Sequence, residues 1–143
     1  MLAINWSIPS FANVCIDECS NGEVAGRFYH QYDKKPVHFT CFMELLRQMD
    51  DLFESIHYPQ ATARQRSFLK EQAQAAVQQE LTPVWQSREF GGERGTRATF
   101  YIMVKGRANA SWQGDVVWVE REIKKTFRSA MELMVLIIMP LNK

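Results

Sequence analysis

Hydrophobic and polar positions follow two different periods along this chain, and the switch between them divides it into elements. Residues 12–16 are a short apolar run that gives way to Asp17 and Glu18. Ser20-Asn21-Gly22 follows, and Asn-Gly is a strong signal for a tight hairpin turn. Val, Phe and Tyr recur through residues 23–32, which predicts the second strand of a β-hairpin. Asp33-Lys34-Lys35-Pro36 turns the chain again, and residues 37–39 predict a short third strand. The period then becomes helical. Phe42, Leu45, Leu46, Met49, Leu52, Phe53 and Ile56 recur at steps of three and four, while Glu44, Arg47, Asp50, Asp51 and Glu54 fill the opposite face. Such a helix packs one face on a sheet, and Pro59 bounds it.

A second, thinner amphipathic pattern covers residues 63–81, where Gln, Ala, Glu and Lys favour helix intrinsically. Residues 88–97 hold Gly91, Gly92 and Gly95 among Glu93, Arg94 and Arg97 and predict a mobile loop. Residues 99–104 predict a strand, 106–109 a turn, and 111–120 a long buried strand. Thr126-Phe127 predicts one more short strand. Residues 129–139 are apolar nearly all round, which predicts a helix that is central in the core or half of an oligomer interface.

The two ends of the chain repeat one another at an offset of 88 positions without a gap. Gly26 falls on Gly114, Phe39 on Phe127, and Met43-Glu44-Leu45 on Met131-Glu132-Leu133. Ser129 and Glu132 have the spacing of a capping box, in which side chains satisfy the first amides of a helix reciprocally. The first half keeps Glu44 but places Cys41, a poorer acceptor, at the cap, with Thr40 beside it. The expectation is an α+β single domain over residues 1–143. It has two β-β-β-α halves, about 12–58 and 98–140, sharing antiparallel sheet, with a connecting helix at about 63–81. Together with Gly26-Arg27-Phe28-Tyr29 and Asn109-Ala110-Ser111-Trp112-Gln113-Gly114, these motifs resemble an uncharacterised family of small proteins from gut Firmicutes, often encoded near mobile elements. The resemblance spans most of the chain outside residues 63–97. It implies no activity and supplies no catalytic residue.

Composition narrows the classes. With 143 residues, 46% hydrophobic and 23% charged, the chain is that of a folded domain rather than a disordered tail or fibrous repeat. A chain this long buries about two-thirds of its unfolded surface and needs no disulfide or metal to fold. Its three cysteines, Cys15, Cys19 and Cys41, read as reduced thiols. Neither a signal peptide nor an apolar run long enough to span a bilayer is visible, so the expected setting is the cytoplasm, away from membranes.

Candidate chemistry is sparse. His30, His38 and His57 are the only histidines, and no G-x-S-x-G elbow occurs. Cys41 and His38 could form a dyad near one strand-to-helix junction, although a structural role for Cys41 explains it better. Cys15, Cys19 and a histidine lack the spacing of a metal site. The Gly91–Thr96 stretch lacks the G-K-[ST] ending of a phosphate loop and precedes a strand rather than a helix. No cofactor and no enzyme activity are expected.

Charge distribution gives the one partner signal. Net charge is +1. Residues 1–63 hold four Lys or Arg against eight Asp or Glu, while residues 88–128 hold nine against five. Arg94, Arg97, Arg107, Lys124, Lys125 and Arg128 are therefore the candidate binding surface. The favoured reading is a small non-enzymatic interaction or regulatory protein that binds an unknown protein partner or itself. Its four tryptophans and its apolar last helix support that reading. The alternative is a nucleic-acid-binding accessory protein that uses the basic second half.

Overall fold

The computed structural model describes residues 2–59, 82–107 and 111–141. The α+β class is as expected, with one antiparallel sheet of six strands. The strands are β1 (Ala12–Ser20), β2 (Glu23–His30), β3 (Asp33–Phe39), β4 (Ala98–Gly106), β5 (Gln113–Trp118) and β6 (Ile123–Phe127). Their order across the sheet is β3-β2-β1-β4-β5-β6, so β1 and β4 are central and β3 and β6 are the edges. Helix α1 (Phe42–Ile56) follows β3, a single turn α2 (Ser87–Phe90) precedes β4, and α3 (Ala130–Leu141) follows β6. The expected connecting helix at 63–81 lies outside the described residues.

Local chemistry sets the boundaries. Asn21 and Gly22 have φ of 54° and 78°, the left-handed pair that joins β1 to β2 in register with strand twist. Helix α1 starts at Cys41, whose side chain makes no capping bond, although the Glu44 carboxylate accepts from the Thr40 amide at 3.0 Å. Helix α3 starts at Ser129, whose hydroxyl accepts from the Glu132 amide at 3.0 Å. The long strand expected over 111–120 is interrupted. A 3₁₀ turn at Val119–Arg121 and a left-handed Glu122 (φ 53°) reverse the chain, so β6 begins at Ile123 rather than Thr126.

One face of the sheet carries both long helices. Ala12, Val14, Ile16, Phe28, Phe100, Ile102, Val104 and Val116 meet Phe42, Leu45, Met49 and Phe53 of α1 and Leu133 and Ile137 of α3. The opposite face is covered by irregular chain and the single turn α2. Ile8, Phe11 and Phe90 pack there on Cys15, Tyr29, Tyr101, Met103 and Val117, with Trp6 and Trp85 at the margin. With both faces covered, β4 is buried at every position from Ala98 to Val104, which explains its unbroken apolar run.

Two glycines hold the sheet's sharpest crossings. Gly26 lies opposite Phe39 on β3 and next to a register break at Ile16/Glu18 on β1. Gly114 lies opposite Phe127 on β6 and next to a register break at Val104/Gly106 on β4. At each break an extra residue bends the strand toward its neighbour. A Cβ on Gly26 would strike the Cys15 carbonyl, and one on Gly114 the Met103 carbonyl.

The Gly-rich segment at 88–97, expected to be a mobile loop, begins within α2 and is tied down beyond it. The buried amide of Asn13 donates to the Phe90 and Glu93 carbonyls at 2.8 and 3.0 Å, and the Tyr101 hydroxyl donates to Gly91 O at 2.5 Å. Asp17 accepts from the Thr96 amide at 3.0 Å and pairs with Arg27 at 2.7 Å, and Arg27 in turn donates to Arg94 O at 3.2 Å. The glycines admit close approach to the sheet: a Cβ on Gly95 would meet the Ile16 backbone.

Candidate functional sites

The six basic residues singled out by sequence do not converge. Side chains alternate along a strand, so Lys124 and Lys125 of β6 point to opposite faces of the sheet. Lys124 reaches Ala3 O at 3.1 Å and lies 3.9 Å from Asp115 on the face away from the helices. Lys125 lines a groove beneath α3 on the helix face. Arg107 is not on the surface. Its side chain is 4% exposed, its Nε donates to Pro59 O at 2.5 Å, and its guanidinium pairs with Asp50 at 2.9 Å. Glu54 sits 3.0 Å from the same group as a charge contact. A guanidinium so placed holds α1 to the end of β4, and removing it would leave the buried Pro59 carbonyl without its donor. Arg94 bends back to donate to Gly91 O and Glu93 O at 2.6 and 3.0 Å. Arg97 and Arg128 are exposed.

The groups weighed for catalysis or metal binding are also separate. Cys15 is fully buried on the face away from the helices, and burial, only partly offset by Arg27, pushes its thiol up to about 11. Cys19 packs against the helix-face core beyond the β1 bulge. His38 is exposed, Cys41 is half-buried, and no hydrogen bond joins them. Among the described residues no three His, Cys, Asp or Glu side chains cluster as a metal site would require. His30 is buried against Phe28 and Tyr32, and desolvation lowers its pKa. Among the described residues no helix is long and apolar enough to cross a membrane.

Among the described residues two concavities stand out, and sequence reading anticipated neither. The larger, about 670 Å³, lies between the N-terminal segment and the chain around α2, and includes Trp6, Gln31, Trp85, Ser87 and Arg88. Its polar groups largely answer one another. Gln31 donates to the Ser87 hydroxyl at 2.7 Å, Trp85 donates to His30 O at 2.6 Å, and the Arg88 guanidinium lies 5.4 Å from the Trp6 ring centre. The smaller, about 260 Å³, lies under α3 and is walled by Phe100, Val116, Trp118, Ile123 and Leu136, with Lys125 at its side. Trp118 stacks near Phe100 at 5.6 Å, and the Arg121 guanidinium sits 5.3 Å from its ring centre. The Trp118 indole N–H is buried without an acceptor among the described residues, a state that costs about 1–3 kcal/mol.

Above that groove, the outer side of α3 is apolar and uncovered. Only Leu133 and Ile137 of the helix are fully buried, whereas Met131, Val135 and Met139 are 70%, 47% and 62% exposed. The helix is therefore not central in the core. Its steps of four put the three exposed residues on one face. No family model matches the chain, and neither a curated protein nor a solved structure does.

Proposed function

We propose that this chain is a non-enzymatic interaction protein of the cytoplasm that docks a protein partner, or a second copy of itself, on the outer face of α3. The observation that carries the reading is the stripe Met131, Val135 and Met139, left exposed along one side of α3. Leaving such side chains exposed forfeits the burial energy of each, about 1.5–3 kcal/mol when burial is complete. Met is enriched at interfaces because its flexible thioether adapts to a partner's surface. Glu132 is the only charged residue in α3, so little desolvation opposes docking.

Nucleic-acid binding has less support. Phosphate contacts add up only when the cations share a face, and Arg107 is committed to Asp50 while Lys124 and Lys125 point apart. A resemblance to the Firmicutes family named above would add no activity to either reading.

We also propose that the two β-β-β-α halves descend from one duplicated unit. The support is the offset of 88, which carries Gly26 onto Gly114 and Phe39 onto Phe127 as strand-paired couples, and the break after Ile16 onto the break after Val104.

The docking reading is tested by a photo-crosslinking residue at Val135, followed by reconstitution with the purified captured partner. A Met131→Glu, Met139→Glu double variant, shown folded by circular dichroism, should lose the complex. Unchanged affinity in that variant, or crosslinking at Val135 no greater than at exposed Glu89, would refute it.

A further inference from the structure

The groove under α3 has the makings of a small-ligand site, distinct from the helix's outer face. Its walls are almost entirely hydrocarbon, with Phe100 and Val116 buried at its base and Leu136 of α3 opposite. Two donors stand beside those walls without an acceptor among the described residues, one exposed to water and one buried. Lys125 is on the groove's side of β6 and makes no ion pair or hydrogen bond with any described residue, although Asp115 on the other face takes both Lys105 and Lys124. The second is the Trp118 indole N–H, buried and unanswered.

This pairing selects one chemistry. A neutral hydrocarbon would fill the groove and offer neither donor an acceptor. A cation would meet Lys125 and Arg121 as like charges. A bare phosphate would bring charge but nothing to displace water from the walls. A monocarboxylate with an apolar body answers all of these, because its oxygens accept charge-assisted hydrogen bonds while its tail covers the walls. The volume, about 260 Å³, lies just below the usual range of about 300–1,000 Å³ for ligand pockets. It therefore suits an alkyl chain of medium length or a single aromatic ring.

We propose that the groove between α3 and strands β4, β5 and β6 binds a small apolar monocarboxylate, its tail against Phe100, Val116 and Leu136 and its carboxylate on Lys125, beside Trp118.

Decanoate, kept below its micelle concentration, is the probe, with decanol and decyltrimethylammonium as neutral and cationic counterparts. Calorimetry should show saturable binding of decanoate, weaker binding of decanol and none of the ammonium compound. Tryptophan fluorescence should change on binding, and Trp118→Phe should remove that change. Lys125→Gln should weaken decanoate about tenfold, the scale of one lost hydrogen bond to a charged group, and leave decanol unaltered. Ile123→Glu, at an exposed rim position, should abolish decanoate binding without unfolding the protein. The proposal is overturned if decanoate fails to bind at millimolar concentration, or binds no better than decanol. It is equally overturned if Lys125→Gln and Ile123→Glu both leave the affinity unchanged in folded protein.

Discussion

Replacing Gly114 by alanine tests the geometry of the sheet with one methyl group. Gly114 pairs with Val104 on one side and Phe127 on the other, beside the bulge that bends β4 toward it. The added Cβ would overlap Met103 O and lie about 3.0 Å from Met103 C and from Val104 Cα. All three are backbone atoms of a central strand, so no side chain can swing aside. Overpacking of this kind costs about 1–3 kcal/mol, and the rigidity of the obstacle puts this site at the upper end. Alanine also restricts the unfolded chain, which returns about 0.4–1 kcal/mol. The net expectation is a loss of about 2 kcal/mol, which at about 2–4 °C per kcal/mol lowers Tm by about 4–8 °C. Gly26→Ala should behave alike, since its Cβ would strike Cys15 O in the corresponding setting. Gly92→Ala is the control. Nothing lies within 4 Å of its Cβ, so it should be neutral or slightly stabilising. Urea denaturation followed by circular dichroism measures all three. If Gly114→Ala falls within about 0.5 kcal/mol of the parent, the strands do not cross as closely as argued, and the bulge does not explain the glycine.

Two further outcomes follow from the fold. Asp17 and Asp115 feel opposing influences: burial raises the pKa of each. For Asp17 the Thr96 amide and Arg27 outweigh it, for Asp115 Lys105 and Thr126 do, and both carboxyls end below their ordinary value of 3.8. Groups with depressed folded values contribute stability above the unfolded pKa and lose it as pH falls through the folded one. Urea midpoints should therefore decline as pH drops below about 4, and Asp17→Asn or Asp115→Asn should each make that acid decline shallower. At the helix starts, Ser129→Ala should cost about 1 kcal/mol, whereas Cys41→Ser, which supplies a missing acceptor, should gain about 0.5–1 kcal/mol. Equal midpoints for Cys41→Ser and the parent would show that the first helix draws nothing from a cap at that position.

What the sequence made legible was the local chemistry. The period of α1 is carried by residues three and four apart, and the Asn21-Gly22 turn by two adjacent ones, so each is readable without the rest of the fold. The covering of the second sheet face was not. Ile8, Phe11, Trp6 and Trp85 lie in irregular chain, where no period marks them as buried. The 88–97 segment read as mobile because glycine and arginine usually accompany loops. Its anchors, Asn13, Asp17 and Tyr101, come from strands β1 and β4, and those on β1 lie more than seventy residues away. Arg107 failed for the same reason, since its partner Asp50 is 57 positions distant. Lys124 and Lys125 failed for a smaller one: once β6 starts at Ile123, alternation alone separates them.

The basic residues of β6 have an explanation that needs no phosphate. A sheet edge exposes a row of unpaired amides and carbonyls that invites another strand, and lysines and prolines on edges discourage it. Lys124 and Lys125 sit on one edge of this sheet, and the other edge, β3, carries Lys34, Lys35 and Pro36. The β3 lysines belong to the acidic half of the chain, so the shared feature follows edge position rather than regional charge. Guarding both edges has a consequence for association. Pairing another chain onto either edge would bring lysines close to a strand, with water stripped from their charges. The outer face of α3 carries no such barrier: Met131, Val135 and Met139 lose only unfavourable hydration when covered. If this protein assembles with a partner, the sheet disfavours strand addition and the helix invites docking, so charge reversal at Lys124 and Lys125 should leave the complex intact while charge placed at Met131 and Met139 should dissolve it.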